Sequence, residues 1–170
     1  MNTTLFKSVG LFILALFISL SSFAQKPMAS PRDSTKGKIG KANVSINYGS
    51  PSVKGRVIWG QLVPYNKVWR AGANEATTFT TDQPLMVEGK NLPAGTYGFF
   101  VIPGEKEWTI IFNKTAKQWG AFEYKEKDDA LRVMVKTTKT SAPFERLTYK
   151  INPNGISLVW ENMDVPVSMK

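Results

Sequence analysis

Neither cysteine nor histidine occurs in this 170-residue chain. Without cysteine there are no disulfides, no thiol nucleophile and no cysteine for lipid attachment, so a folded domain must be held by core burial alone. Without histidine the usual general base at neutral pH is missing, and with both absent so are the usual zinc ligands. No Gly-x-Ser-x-Gly elbow or Ser-x-x-Lys pair marks an acyl-transfer site. Helical periodicity is confined to one weak turn near residues 124–130. No basic run with aromatic platforms points to nucleic acid. The apolar run at residues 9–20, broken by Gly10 and Ser19, falls short of the about 20 residues a membrane-spanning helix needs.

That run is instead the centre of an export signal. A weakly basic leader with Lys7 precedes it, and Ser22-Phe23-Ala24 places small residues at the two positions a signal peptidase reads. Residues 1–24 are therefore expected to be a signal peptide cleaved before Gln25, leaving a periplasmic or secreted protein with no stable membrane span; an uncleaved anchor is the alternative. Lys7 is the leader's one charged side chain, so the remainder keeps 21 of 22 basic residues against all 13 acidic ones, a balance of +8. An excess of that sign favours acidic partners. The charges alternate in sign at 105–107 and 125–129, as on an ordinary solvated surface.

Residues 25–38 are polar, carry Pro27 and Pro31 and lack apolar alternation, so they read as a linker; residues 39–170 read as one domain. Val44, Ile46 and Tyr48 alternate with Asn43, Ser45 and Asn47, as in a half-buried strand. Residues 53–59 suggest a further short strand. Residues 96–102 are apolar on both faces, the mark of a central strand, and should form a hairpin with 107–113. A second hairpin is expected from 147–151 and 156–160 around Asn152-Pro153-Asn154-Gly155, and Val165, Val167 and Met169 suggest a separate last strand. The expected fold is all-β, a single antiparallel β-sandwich of jelly-roll-like or immunoglobulin-like type with about eight to ten short strands, a small barrel being the alternative.

Several motifs carry a family resemblance. They are Tyr48-Gly49-Ser50-Pro51 through Gly55-Arg56, Leu62-Val63-Pro64-Tyr65, Val68-Trp69-Arg70-Ala71-Gly72-Ala73-Asn74-Glu75-Ala76-Thr77, Leu92-Pro93-Ala94-Gly95-Thr96-Tyr97 and Gln118-Trp119-Gly120-Ala121. Together they resemble the exported bacterial family DUF2911, a domain of unknown function, over nearly all of the chain from Ile39. The resemblance implies an exported, single-domain β protein and brings no mechanism with it.

The irregular stretch at 56–81 holds the candidate site. Gly72 and Asn74 tolerate positive φ, so a tight loop can bring Trp69, Arg70 and Glu75 to one mouth, with Arg56 in reach. A planar indole with Arg, Asn and Glu beside it suits a sugar or a carboxylate-bearing ligand. The competing structural reading pairs Arg70 and Glu75 with one another, or with Arg56, as an ionic corner while Trp69 fills core. Trp108 and Trp160 alternate in phase with core residues; Trp119, between Gln118 and Gly120, is the tryptophan expected to serve a surface. The candidate ligand residues are thus Arg56, Trp69, Arg70, Asn74, Glu75 and Trp119, with no catalytic residue, metal site or cofactor assigned. Three functions follow: a non-catalytic binding module for an envelope glycan or anionic small molecule, a structural protein of the envelope, or a hydrolase using Glu75 with a second carboxylate among Asp82, Glu88, Asp128 and Asp129.

Overall fold

The computed structural model describes residues 28–170, so the signal-peptide expectation and the first residues of the linker lie outside it. No helix among the described residues is long and apolar enough to cross a membrane. The fold is all-β and antiparallel. Six strands form the main sheet: β1 (Arg32–Ile39), β2 (Ala42–Gly49), β3 (Thr77–Thr81), β6 (Gly95–Ile102), β7 (Glu107–Asn113) and β8 (Asp129–Lys136), in the spatial order β1-β2-β3-β6-β7-β8. Two small sheets complete it, β4 (Leu85–Val87) with β5 (Lys90–Leu92), and β9 (Thr138–Asn152) with β10 (Gly155–Ser168).

Period-2 alternation builds the core. Val44, Ile46 and Tyr48 of β2, Phe79 of β3, Tyr97, Phe99 and Val101 of β6 and Trp108, Ile110 and Phe112 of β7 face one way. They meet Leu147 and Tyr149 of β9 and Ile156, Leu158 and Trp160 of β10. Tyr149 lies edge-on to both Tyr48, at 4.8 Å, and Phe99, at 5.8 Å. Each large side chain enclosed this way contributes about 1.5–3 kcal/mol. The other face of β6 and β7 buries Phe100 and Ile111 with Ala76, packed by Val68, Ala121 and Tyr124. The central strand is therefore covered on both sides, but the second cover is loop rather than sheet.

Both expected hairpins are present, as β6–β7 and β9–β10. Three expectations are corrected. Residues 32–38 are not linker but most of β1, fully paired to β2. Within 32–38 the inward positions are Asp33, Thr35 and Gly37, and β9 passes close to the last two: a Cβ on Gly37 would press on Ile151 Cγ2, and Thr35 Oγ1 donates to the Tyr149 carbonyl at 3.0 Å. Apolar alternation is absent because there is no room for it. Residues 53–59 form turns, with Lys54 at φ 48° and Gly55 at φ 67°. The last strand is not separate: β10 runs on past an irregularity at Glu161, which takes φ 55° so that Val165 and Val167 regain the core.

Candidate functional site

The outer face of β2, β3 and β6 is a floor of short polar side chains. Asn47, Thr78, Thr80 and Thr96 point away from the core, and the Thr80 and Thr96 hydroxyls bond each other at 3.0 Å. Residues 116–119 cross above this floor, because residues 74–76 pair antiparallel with 118–120: Ala76 N donates to the Gln118 carbonyl at 3.0 Å and Gly120 N to that of Asn74 at 3.1 Å. The result is a groove of about 910 Å³ walled by Ala116, Lys117, Gln118 and Trp119 on one side and by Arg32 and Glu75 at one end.

Two of the six candidate residues meet there. Trp119 is 62% exposed and presents its indole at the rim. Glu75, also exposed, pairs with Arg32 at 3.4 Å. The other four serve the scaffold or lie elsewhere. Arg56 caps its own turn, its guanidinium donating to the Val53 carbonyl at 3.0 Å and to that of Ser52. Trp69 turns inward, stacks on Trp160 at 5.9 Å and donates Nε1–H to the Gly72 carbonyl at 3.2 Å. Asn74 takes φ 64°, as expected, and its amide donates to the Ser30 carbonyl at 3.2 Å. Arg70 lies beside Gly120, half buried, and makes no ion pair among the described residues; burial pulls its guanidinium pKa below the ordinary value. The expected Arg70–Glu75 corner does not form.

Backbone geometry explains why these residues separate. Residue 72 does not take positive φ; Ala71 does, at 52°, and Asn74 does. Ala71 is held there by two donors to its carbonyl, the Tyr149 hydroxyl at 2.8 Å and Thr77 Oγ1 at 3.0 Å. Gly72 is needed for close approach instead: a Cβ there would lie 2.8 Å from Thr77 Oγ1 and 3.0 Å from the Gly49 carbonyl oxygen. The pinned loop sends Trp69 to the core, Arg70 to the side of Gly120 and Glu75 to the groove.

The segment carrying Trp119 is fastened at its base. Asn113, fully buried, donates to the Lys125 carbonyl at 3.0 Å and to Asp129 Oδ1 at 2.8 Å. Tyr124 donates to Asp129 Oδ2 at 2.6 Å, and Arg132 reaches Asp129, Tyr124 and Glu126. Burial, with the bond to Asp129, pushes the Tyr124 pKa up to about 12.

The groove's chemistry is that of hydrogen bonding and stacking. Glu75 is the one carboxylate in its lining. Of the carboxylates weighed with it, Asp82 is held by Asn43 through contacts of 2.7 and 2.5 Å, Glu88 accepts from Ser168 N at 2.5 Å and Asp129 belongs to the base just described. No three Asp or Glu side chains cluster as a metal site requires among the described residues. Sequence reasoning missed Arg32, hidden in the supposed linker, and the Thr floor, whose outward phase was legible but whose roofing by residues 116–119 was not.

Comparison with curated proteins and with solved structures finds no match. A family model does match, over residues 30–169, and the motifs at Tyr48-Gly49-Ser50-Pro51, Trp69 to Thr77 and Gln118 to Ala121 fall within it. The chain belongs to the family described as protein of unknown function (DUF2911).

Proposed function

We propose that this is an exported, non-catalytic saccharide-binding protein whose groove lies on the outer face of a β-sandwich, the β9–β10 hairpin forming the second layer behind it. The observation that carries the reading is Trp119, a large aromatic left 62% exposed beside a floor of hydroxyl and amide side chains. An indole face offers apolar area to the C–H face of a sugar ring, and Thr78, Thr80, Thr96 and Asn47 offer donors and acceptors to its hydroxyls. Arg32 and Glu75, as an ion pair of mixed sign, suit hydroxyl groups better than a lone anion. A single lining carboxylate also favours binding over two-carboxylate glycoside hydrolysis.

Glycan-array screening followed by calorimetry tests this. Trp119→Ala should weaken the best-bound glycan tenfold or more, which corresponds to about 1.4 kcal/mol. Its effect on folding stability should stay within about 0.5 kcal/mol, as for other exposed positions. Retained affinity in Trp119→Ala, or no glycan held by the unaltered protein, would reject the reading.

A further inference from the structure

The groove does not end at Thr80. The same residue borders a second depression of about 580 Å³, lined by Lys36, Lys38, Asn43, Ser45 and Asp82 on β1, β2 and the turn after β3. Strand register makes the two continuous. Lys36 is opposite Ser45, Ser45 opposite Thr80 and Thr80 opposite Thr96, one transverse row; Ser34, Asn47, Thr78 and Gly98 form the next. No side chain in those rows between Trp119 and the lysines is larger than asparagine, so the floor is unobstructed. It runs out at β1, the edge strand of the main sheet among the described residues.

The charges along this trough are unbalanced. Arg32, Lys36, Lys38 and Lys117 line it against Glu75 and Asp82, an excess of two positive charges. Arg32 is already paired with Glu75, and Asp82, bonded by the uncharged Asn43 amide, keeps its negative charge in electrostatic reach of Lys38. Lys36 and Lys117 are the two cations left over, making no ion pair among the described residues and standing at opposite ends of a neutral floor. Unpaired ammonium groups flanking a hydroxyl-rich floor complement repeated carboxylates on a sugar backbone.

We infer that the ligand is the interior of a linear, carboxylate-bearing polysaccharide lying across β1, β2, β3 and β6 from Trp119 to Lys36 and Lys38. This inference rests on the groove being a saccharide site and adds the ligand's charge, length and direction.

Calorimetry with a panel of acidic polymers, polygalacturonate, alginate and hyaluronate, each beside its methyl-esterified neutral form, tests it. The unaltered protein should bind at least one acidic polymer tenfold or more tightly than its neutral ester, with affinity falling as salt rises. Lys36→Gln with Lys38→Gln should bring the acidic polymer's affinity down to within about threefold of its ester's, removing that preference. Lys125→Gln with Lys127→Gln, an equal loss of charge outside the trough, should retain it. Trp119-dependent binding with no acidic preference, or a preference insensitive to Lys36 and Lys38, overturns the inference while the saccharide reading stands. Absence of any Trp119-dependent binding overturns both.

Discussion

At Ala71 a non-glycine residue is held in the left-handed region, a conformation that costs about 1–2 kcal/mol, by two hydroxyls converging on its carbonyl. Removing one donor leaves that buried carbonyl still partnered, so Tyr149→Phe and Thr77→Val should each cost about 1 kcal/mol. Removing both leaves it orphaned, and the double variant should lose more than the sum of the two in a urea-denaturation cycle. Strict additivity would show that the carbonyl finds another partner. A second single-residue effect concerns Tyr124, whose pKa is raised to about 12 by burial and by its bond to Asp129. The folded protein keeps this proton longer than the unfolded chain, in which tyrosine ionises near about pH 10. Its contribution is therefore whole below about pH 10 and is lost as pH rises toward about 12. Tyr124→Phe should flatten that part of the alkaline fall in stability. Urea midpoints measured on both sides of the window would reveal it, and an unaltered fall would mean that the hydroxyl does not titrate there.

Among the elements, two close contacts decide where the groove's walls stand. The end of β2 meets the 71–74 loop at Gly49, where a Cβ would collide with the Ala73 carbonyl, and Gly72 faces Gly49 in return. Gly49→Ala should therefore cost about 1–3 kcal/mol by overpacking and displace Glu75 from Arg32. Thermal unfolding and glycan affinity should fall together, whereas a variant of native stability and affinity would show that the loop can retreat. The crossing segment at 114–128 depends on its base in the same way. Asp129→Ala strips Asn113, Tyr124 and Arg132 of a nearly enclosed acceptor, an expected loss of roughly 2–4 kcal/mol in chemical denaturation. Asp129→Asn, which retains an acceptor, should recover part of it. These contacts also mark the limit of legibility in sequence. Hairpins such as β6–β7 declare themselves because alternation and turn residues are local. The strand β1 and the role of Gly72 do not, because each answers to a distant neighbour, Ile151 in one case and Gly49 in the other.

For the molecule as a whole, the main sheet is assembled from strands far apart in sequence: β2 pairs with β3 across 27 intervening residues (50–76), and the core closes only when β9 and β10 arrive. Loop-closure entropy must be met before such pairings form, so folding should take milliseconds to seconds, as in other all-β domains. Far-ultraviolet dichroism and near-ultraviolet dichroism should report one coincident unfolding transition; separated midpoints would indicate that the β9–β10 ribbon detaches first. The same long-range assembly is why the candidate site was half legible. Glu75 and Trp119 stood out by residue type, but only the finished sheet joins them to Arg32 and to the Thr floor. That assembly also sorts the five tryptophans by what light and solvent can reach. Trp59, Trp69, Trp108 and Trp160 lie together, with neighbouring ring centroids 4.9–6.0 Å apart, the last two buried and the first two half-buried, while Trp119 stands largely in water. A dissolved quencher such as iodide is kept from Trp108 and Trp160 and hindered at the half-buried Trp59 and Trp69, while the emission of Trp119 is the most open to it. Collisional quenching therefore weights one side chain above the other four without a label, and a molecule laid against Trp119 would register as protection.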